Sequence, residues 1–583
     1  MAHPNRPASP SGLRGPPSTR YGSVAARIGG LAVACAAGAA LLLLALAVAE
    51  RGGVPSAIAA TVFAAGGAAI LAAIALAWPT LRLRGFLAAG HALPAAANGS
   101  AGALGAMPCG AALAGGALVL AAGLPGLAAL AAGLAGAAIL GAALRQAEAV
   151  SPVAYLGLRC GPTVRGIAAA ASFSICLALA LAAMLAVTAI LKHALGLAPA
   201  TASALAAAAA LLAVLPGGAL SLTAFAGAGL VLTVLGSVLA LVFGVKLAGN
   251  DVSLWLAPLQ AVRAPADARA LMQGAPALFT PGSGKFATLA VLAAGLAGAP
   301  HLLLRAAAAE SRSAALGTLG HVLVFTALLA LCGATAGVIA ALYFDAAVVD
   351  RALAGLAPAV RDLVDAGIVK LCGASTWDAA RAACGTRTLG PAEIALDPSL
   401  AVLGLPHLAG LPGGFSGLVL IGVAADLTAG LAVSLLVAAS AGTYELLHIV
   451  LRTSLGEGRM LAFMRLALIV LAAVVVRLAT EAGLAAYGIA PWPLAMAGLA
   501  LSAAVLFPAL VLSSSSVVGP RGVLVGMLAG LGVTLAWLAA FGFAGAAGAG
   551  LAGLAAAFAG GLAARAVRLA FARGRGAAGA SGD

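Results

Sequence analysis

Charge is what this chain has least of. Only 8% of its 583 residues are Asp, Glu, Lys or Arg, whereas soluble domains carry about 25%. Aromatic residues are scarce as well, at 4%. So little charge excludes a soluble globular domain, and with it a soluble enzyme. The seven cysteines include no CxxC pair and no Cys/His pairing at ligand spacing, so no metal pattern is present. Cys35, Cys109, Cys176 and Cys332 fall in apolar runs and read as small buried hydrophobes, with Cys160 in a loop. No hydrolase or nucleotide motif appears. Gly282-Ser283-Gly284-Lys285 resembles a phosphate loop only superficially, without the first glycine or the hydroxyl residue after the lysine. The net charge of +14 does not indicate nucleic acid, because the basic residues are spread over short loops and tails.

What the chain has in abundance is hydrophobic length, with 63% apolar residues and a mean hydropathy of +1.13. It reads as an all-α polytopic membrane protein embedded in lipid. Its 77 glycines and many alanines suit helices that approach closely in a bilayer. Segments long enough to cross about 30 Å of hydrocarbon fall at 27–49, 55–78, 97–122, 125–144, 166–191, 200–216, 219–245, 286–304, 319–343, 416–440, 460–480, 488–512, 520–541 and 543–564. That gives about fourteen transmembrane helices. The pair spanning 200–245 is separated only by Pro216-Gly217-Gly218. The first helix is expected to be retained, because its apolar run is long for a signal peptide and Ala47-Val48-Ala49 matches a cleavage site loosely.

With the N-terminus in the cytoplasm, the inside segments hold nineteen of the 31 Lys and Arg, and the short outside loops hold only Arg51, Lys192 and Arg477. The rest lie in two long outside loops, 248–285 and 344–415, with Lys246 at the edge of the first, where the positive-inside rule has little force. Both termini are therefore expected to be cytoplasmic, in a bacterial inner membrane. The expected organisation is a disordered tail 1–23, an extra helix 24–54, a flanking helix and loop 55–94, a ten-helix core 95–515, C-terminal flanking helices 516–570 and a tail 571–583. Cys372 and Cys384 share the second long loop, on a face that is oxidising in bacteria. They read either as a disulfide or as two free thiols.

One carboxylate stands out. Asp426 lies near the centre of the apolar run Leu418–Val437. An acidic residue at that depth costs about 2.5–3.5 kcal/mol on insertion scales and usually marks an ion, proton or solute path. Two spans also look interrupted. The third carries Asn98-Gly99 and then Gly105-Ala106-Met107-Pro108-Cys109-Gly110; the eighth carries Gly295-Leu296-Ala297-Gly298-Ala299-Pro300-His301. Proline removes a donor and glycine weakens the helix around it, and carriers bind solute where helices are broken at mid-bilayer. The two spans are five apart, as a five-plus-five repeat requires.

The run GLAGAPHLLLR (Gly295–Arg305) resembles the GTAGLPH-hydrophobic-R signature of the sodium:solute symporter family, in its acetate-permease (cation/acetate symporter) branch. Four further pieces resemble that family in the same order. They are FLAAGHALPAAANG (Phe86–Gly99), AYLGLRCG (Ala154–Gly161), LPGGALSLT (Leu215–Thr223) and ASAGTYELL (Ala439–Leu447). The resemblance covers roughly residues 55–515 and implies a LeuT-type 5+5 inverted-repeat transporter fold with flanking helices. The spans at 97–122 and 286–304 would be core helices one and six.

The resemblance also implies an ion site and shows where this chain departs from it. First-helix carbonyl ligands would come from Leu104 and Met107, and an eighth-helix carbonyl from Asp426. The family's paired hydroxyl residues fall on Ala429 and Gly430, which have no side-chain oxygen, and a core-helix-one Asp of the acetate branch falls on Gly105. A hard cation needs several oxygens. Asp426, at i−3 and i−4 from Ala429 and Gly430, shares their helix face and is expected to replace the lost ligands. It would bind Na+ or carry H+ as the coupling ion, since desolvation favours the neutral form of a carboxyl. The alternative is a static bond to Thr428, Ser434 or a neighbouring helix. Asn98, Pro108, Gly295, Gly298, Pro300 and His301 are candidates for the solute path, with His301 either a gate or a packing residue. Arg305 reads as an interfacial snorkelling anchor, and His448, Arg452 and Arg459 as loop residues. The function expected is cation-coupled symport of a small solute, a monocarboxylate such as acetate, with no other cofactor. The alternative is a degenerate, non-transporting relative acting as a sensor or accessory subunit.

Overall fold

The computed structural model of the chain describes residues 18–247, 254, 257–260, 284–365, 367–397, 400–447, 455–480, 489–515 and 518–579. Most of the expected tail 1–23, most of loop 248–285, and His448 and Arg452 lie outside the described residues. In lipid, a chain that does not form a closed barrel must pair its backbone groups within each segment, and the Ala- and Leu-rich runs are accordingly helical. In order they are α1 (Ser18–Arg51), α2 (Ser56–Leu76), α3 (Ala95–Ala103), α4 (Gly110–Ala122), α5 (Leu124–Gln146), α6 (Pro162–Leu195), α7 (Pro199–Val214), α8 (Ala219–Leu247), α9 (Gly284–Ala297), α10 (Pro300–Ala308), α11 (Arg312–Ala347), α12 (Gly413–Ser440), α13 (Glu457–Ala479), α14 (Pro491–Ser514), α15 (Pro520–Phe541) and α16 (Ala546–Gly579). Among the described residues, twelve helical segments are long and apolar enough to cross a membrane, counting α9 and α10 as one; α4 and α7 are apolar but shorter.

α12 is the central helix. Counting the turn to Leu447, 94% of its most apolar stretch is buried, against 11% for α1 and 28% each for α13 and α15. It packs on α2, α6 and α8. α1 leaves Val33, Leu41, Leu44 and Val48 exposed, an apolar surface suited to contact with lipid. Small residues let the inner helices touch. A side chain at Gly333 of α11 would strike the Ala112 carbonyl of α4, and one at Gly116 would come within 2.8 Å of the Gly333 carbonyl carbon. Close backbone contact of this kind takes the place of hydrophobic driving force inside a bilayer.

Polar contacts secure the helix ends. Glu445, one turn past α12, is 1% exposed. Its carboxylate accepts from Arg165 Nε and Nη2 at 2.8 and 2.6 Å and from Ser151 Oγ at 2.6 Å. Ser151 also caps the short helix Pro152–Cys160, accepting from Ala154 N–H at 2.9 Å. At the turn between α7 and α8, Arg465 of α13 donates to the Leu215, Pro216 and Thr80 carbonyls at 3.1, 3.1 and 2.9 Å. The C-terminal carbonyls of α10 are met by His91, Leu93 and Arg145, which bond Ala307, Ala308 and Ala309 at 2.5, 3.2 and 2.7 Å.

The loop 344–415 is not purely helical. It carries β1 (Val369–Leu371) and β2 (Ile394–Leu396), which pair antiparallel with Val369 opposite Leu396, among short helices that include Trp377–Cys384. Cys372 and Cys384 are joined by a disulfide. The spanning segments are all helical, as expected, and the loop adds this small sheet, whose three-residue strands are too short to show a period.

The Glu445 cluster makes a direct prediction. Glu445→Ala leaves Arg165 without its partner and lowers stability by about 2 kcal/mol. That is less than the 3–5 of a fully buried pair, because 24% of the Arg165 side chain is exposed. Thermal unfolding of the detergent-purified protein measures this, and Arg165→Ala combined with Glu445→Ala should cost little more than either alone. Full additivity would show that the two residues do not act as a pair.

Candidate functional site

The site begins where the third span stops being a helix. α3 ends at Ala103, Leu104 is extended with ψ 125, and Gly105 takes a φ of +77. Cys109 and Gly110 are also left-handed, at φ +61 and +88, before α4 resumes. Such a turn frees backbone N–H groups deep in the protein, where each must find a partner. Asp426 supplies it. Oδ1 accepts from Gly105 N–H at 2.9 Å, and Oδ2 accepts from Ala111 N–H at 2.8 Å. One carboxylate thus bridges both sides of the break, at the positive end of α4. Asp426 is 2% exposed. Its bonds run to the neighbouring broken helix, and none of the described ones goes to Thr428 or Ser434 on its own.

Gly105 is needed here for space as well as for its φ. A side chain would come within 2.5 Å of the Gly430 backbone. The break in the third span therefore lies directly on α12 at Gly430. Leu104 and Ala429 are buried beside this contact. The Met107 carbonyl accepts from Gly110 N–H at 3.1 Å.

The second break falls between α9 and α10. Ala299 is extended with ψ 120, and Pro300 opens α10. His301 follows it, 3% exposed, with Nε2 at 3.4 Å from the Ala106 carbonyl and, among the described residues, no hydrogen-bond partner for Nδ1. The two breaks meet here. A cavity of about 10 Å³ is lined by Gly105, Met107, Pro108 and Gly110 from the first, His301 from the second, and Asp426, Gly430 and Ser434 from α12. That is room for about one water molecule.

Not every expected residue reaches this cavity. Gly295 and Gly298 are not in its lining: they seat α9 against α14, where a side chain would come within 2.6 Å of the Leu499 carbonyl and 2.8 Å of Phe507 N. Ser502 Oγ also bonds the Gly295 carbonyl at 2.7 Å. Asn98 lies elsewhere, its Nδ2 donating to the Arg305 carbonyl at 2.7 Å. Arg305 is corrected. It is 5% exposed, and Nη1 donates to Thr223 Oγ1 at 2.7 Å, so it is not an interfacial anchor. Its spacing of i+4 from His301 puts both on one face of α10, a signal legible in the sequence. The Ala111 amide has no such signal, because any residue type carries one.

No protein-family model and no curated protein matches the chain. Among solved structures it is similar to the substrate-bound, outward-open state of a Na+-coupled sialic acid symporter. The identity is 13%, with 87% of this chain and 97% of that one covered and a TM-score of 0.63. A mutant of the Eremococcus coleocola manganese transporter aligns at 14% identity over 80% of this chain and 94% of that one, with a TM-score of 0.40. The same transporter with an aromatic bis-isothiourea compound aligns at 16% identity over 80% and 86%, with a TM-score of 0.37. The first likeness gives the fold. The chain is a multi-pass helical membrane protein with the fold of a sodium-coupled symporter.

If the Asp426 carboxylate is what pairs the two freed amides, stability should follow its acceptors. Asp426→Ala leaves two buried donors unpaired and should cost about 2–4 kcal/mol, with Asp426→Asn intermediate. Thermal unfolding in detergent checks the order, and three equal midpoints would refute the bridge.

Proposed function

We propose that the chain is a secondary transporter that moves a small solute by alternating access, with Asp426 as its coupling group. The observation that carries the reading is the meeting of two broken spans around one cavity holding Asp426 and His301, within the fold of a sodium-coupled symporter. Broken helices at such a meeting point are where carriers bind ions and solutes. The resemblance to the cation/acetate branch makes the solute a monocarboxylate such as acetate. We also assign to this reading fourteen spans in a 5+5 inverted repeat with flanking helices, cytoplasmic termini and a bacterial inner membrane. No covalent chemistry is involved; coupling is the difference in ion and solute affinity between outward and inward states.

The coupling ion we favour is H+. Both Asp426 oxygens already accept N–H bonds, Ala429 and Gly430 bring no side-chain oxygen, and the backbone of Gly105 lies against Gly430. A protonated carboxyl gives up part of its acceptor capacity, so proton uptake loosens the bridge between α12 and the first break. Na+ is the second reading, favoured by the sodium-coupled neighbour, with Leu104, Met107 and Asp426 as the oxygen donors. A non-transporting sensor or accessory subunit is favoured by the near-filled core, since the cavity is only about 10 Å³.

Proteoliposome uptake of labelled acetate, driven separately by a pH gradient and by a sodium gradient, tests all three. We expect uptake that follows the pH gradient, and in Asp426→Asn a loss of that dependence by about tenfold or more, as for a lost acid–base group. Uptake that follows sodium alone would transfer the role to Na+. No uptake of acetate or other short-chain acids under either gradient would favour the non-transporting alternative.

A further inference from the structure

Arg305 is the feature the coupling scheme leaves unused. Among the described residues its guanidinium makes one hydrogen bond, from Nη1 to Thr223 Oγ1 at 2.7 Å. The Thr223 hydroxyl gives its own proton to the Ala219 carbonyl at 2.7 Å, so it faces Arg305 as an acceptor. The described ion pairs are Arg165–Glu445, Arg361–Asp365, Arg387–Glu393 and His407–Asp362, and Arg305 is in none of them. A guanidinium carries five N–H donors and stays charged. Burying that charge without an anion is costly, and among the described residues no carboxylate pairs with it.

Arg305 is one of the residues lining a second cavity, also about 10 Å³, whose other walls include Leu222, Leu304, Val433 and Leu436. It is the one charged group in an apolar lining. α10 and α12 line both cavities: His301 and Asp426 face the first, Arg305 and Val433 the second. The two chambers thus follow one helix pair and carry opposite charge.

We propose that Arg305, positioned by Thr223, is the anion-recognising group of the solute path, and that its ligand is a small carboxylate with a short apolar tail. A planar carboxylate matches the guanidinium fork in two parallel bonds. The apolar walls suit a hydrocarbon tail, and in the conformation described only about one water fits, so the ligand reaches the arginine when α10 and α12 part. This inference rests on the transport reading for its meaning but is tested without transport.

The test is equilibrium binding of labelled acetate to the full-length protein in detergent, with acetamide as the neutral isostere. We expect saturable acetate binding that acetamide does not compete. Arg305→Gln should weaken it by about 100-fold, as for loss of a charge-assisted pair, and Arg305→Lys by less. Thr223→Val, which keeps volume and removes the positioning oxygen, should weaken it by about tenfold; it serves if Arg305→Gln fails to fold. The proposal is overturned if wild type binds no acetate, if acetamide competes equally, or if a folded Arg305→Gln or Thr223→Val binds as wild type does. Binding without vesicle uptake would keep the anion site and reject transport. Uptake of neutral solutes without acetate binding would keep transport and reject the anion site.

Discussion

A backbone amide inside a membrane has no water to turn to, and the centre of this protein is organised around that fact. Opening the third span between Ala103 and Gly110 removes the helical bonds that would have satisfied its donors. The chain answers with a carboxylate from another helix, set so that each oxygen takes one amide. Glycine at 105 and at 430 lets the two backbones come close enough for this. The charge that looks most expensive in the sequence is therefore also what makes the break affordable.

The second break is handled differently. Pro300 opens α10 with a residue that has no N–H to orphan, and the far end of that helix is satisfied by three donors from two other segments. The first break is closed by a carboxylate from another helix, whereas the second opens on a proline that leaves no N–H to close.

Much of this was legible from residues alone. The apolar runs became helices because lipid leaves a segment few other options, and the Pro/Gly clusters at 105–110 and 298–300 marked both interruptions through the loss of donors and of helix propensity. Asp426 announced itself by depth. What stayed hidden was pairing across the bundle. The alternative for Asp426 named Thr428, Ser434 or a neighbouring helix without a way to choose, and the described partners are main-chain groups of another helix more than 300 positions away. Arg305 looked like an anchor because arginines near span ends usually reach for headgroups; its Thr223 contact depends on how α8 lies against α10. Gly298 lies in the second break, and both it and Gly295 are also contact points for α14, a role that the sequence around them does not signal.

Described side-chain bonds tie α12 at three levels: Thr233 of α8 donates to its Gly422 carbonyl at 2.8 Å, Asp426 at its middle accepts from the first break, and Glu445 just past its end accepts from Arg165 and Ser151. A rod held at three levels does not swing when the middle one is released; it can only bow between ends that stay fixed. The middle tie rests on one carboxylate, while the far one is a double guanidinium grip reinforced by a serine. Whatever loosens the centre of this helix is therefore confined to the stretch between Gly422 and Glu445.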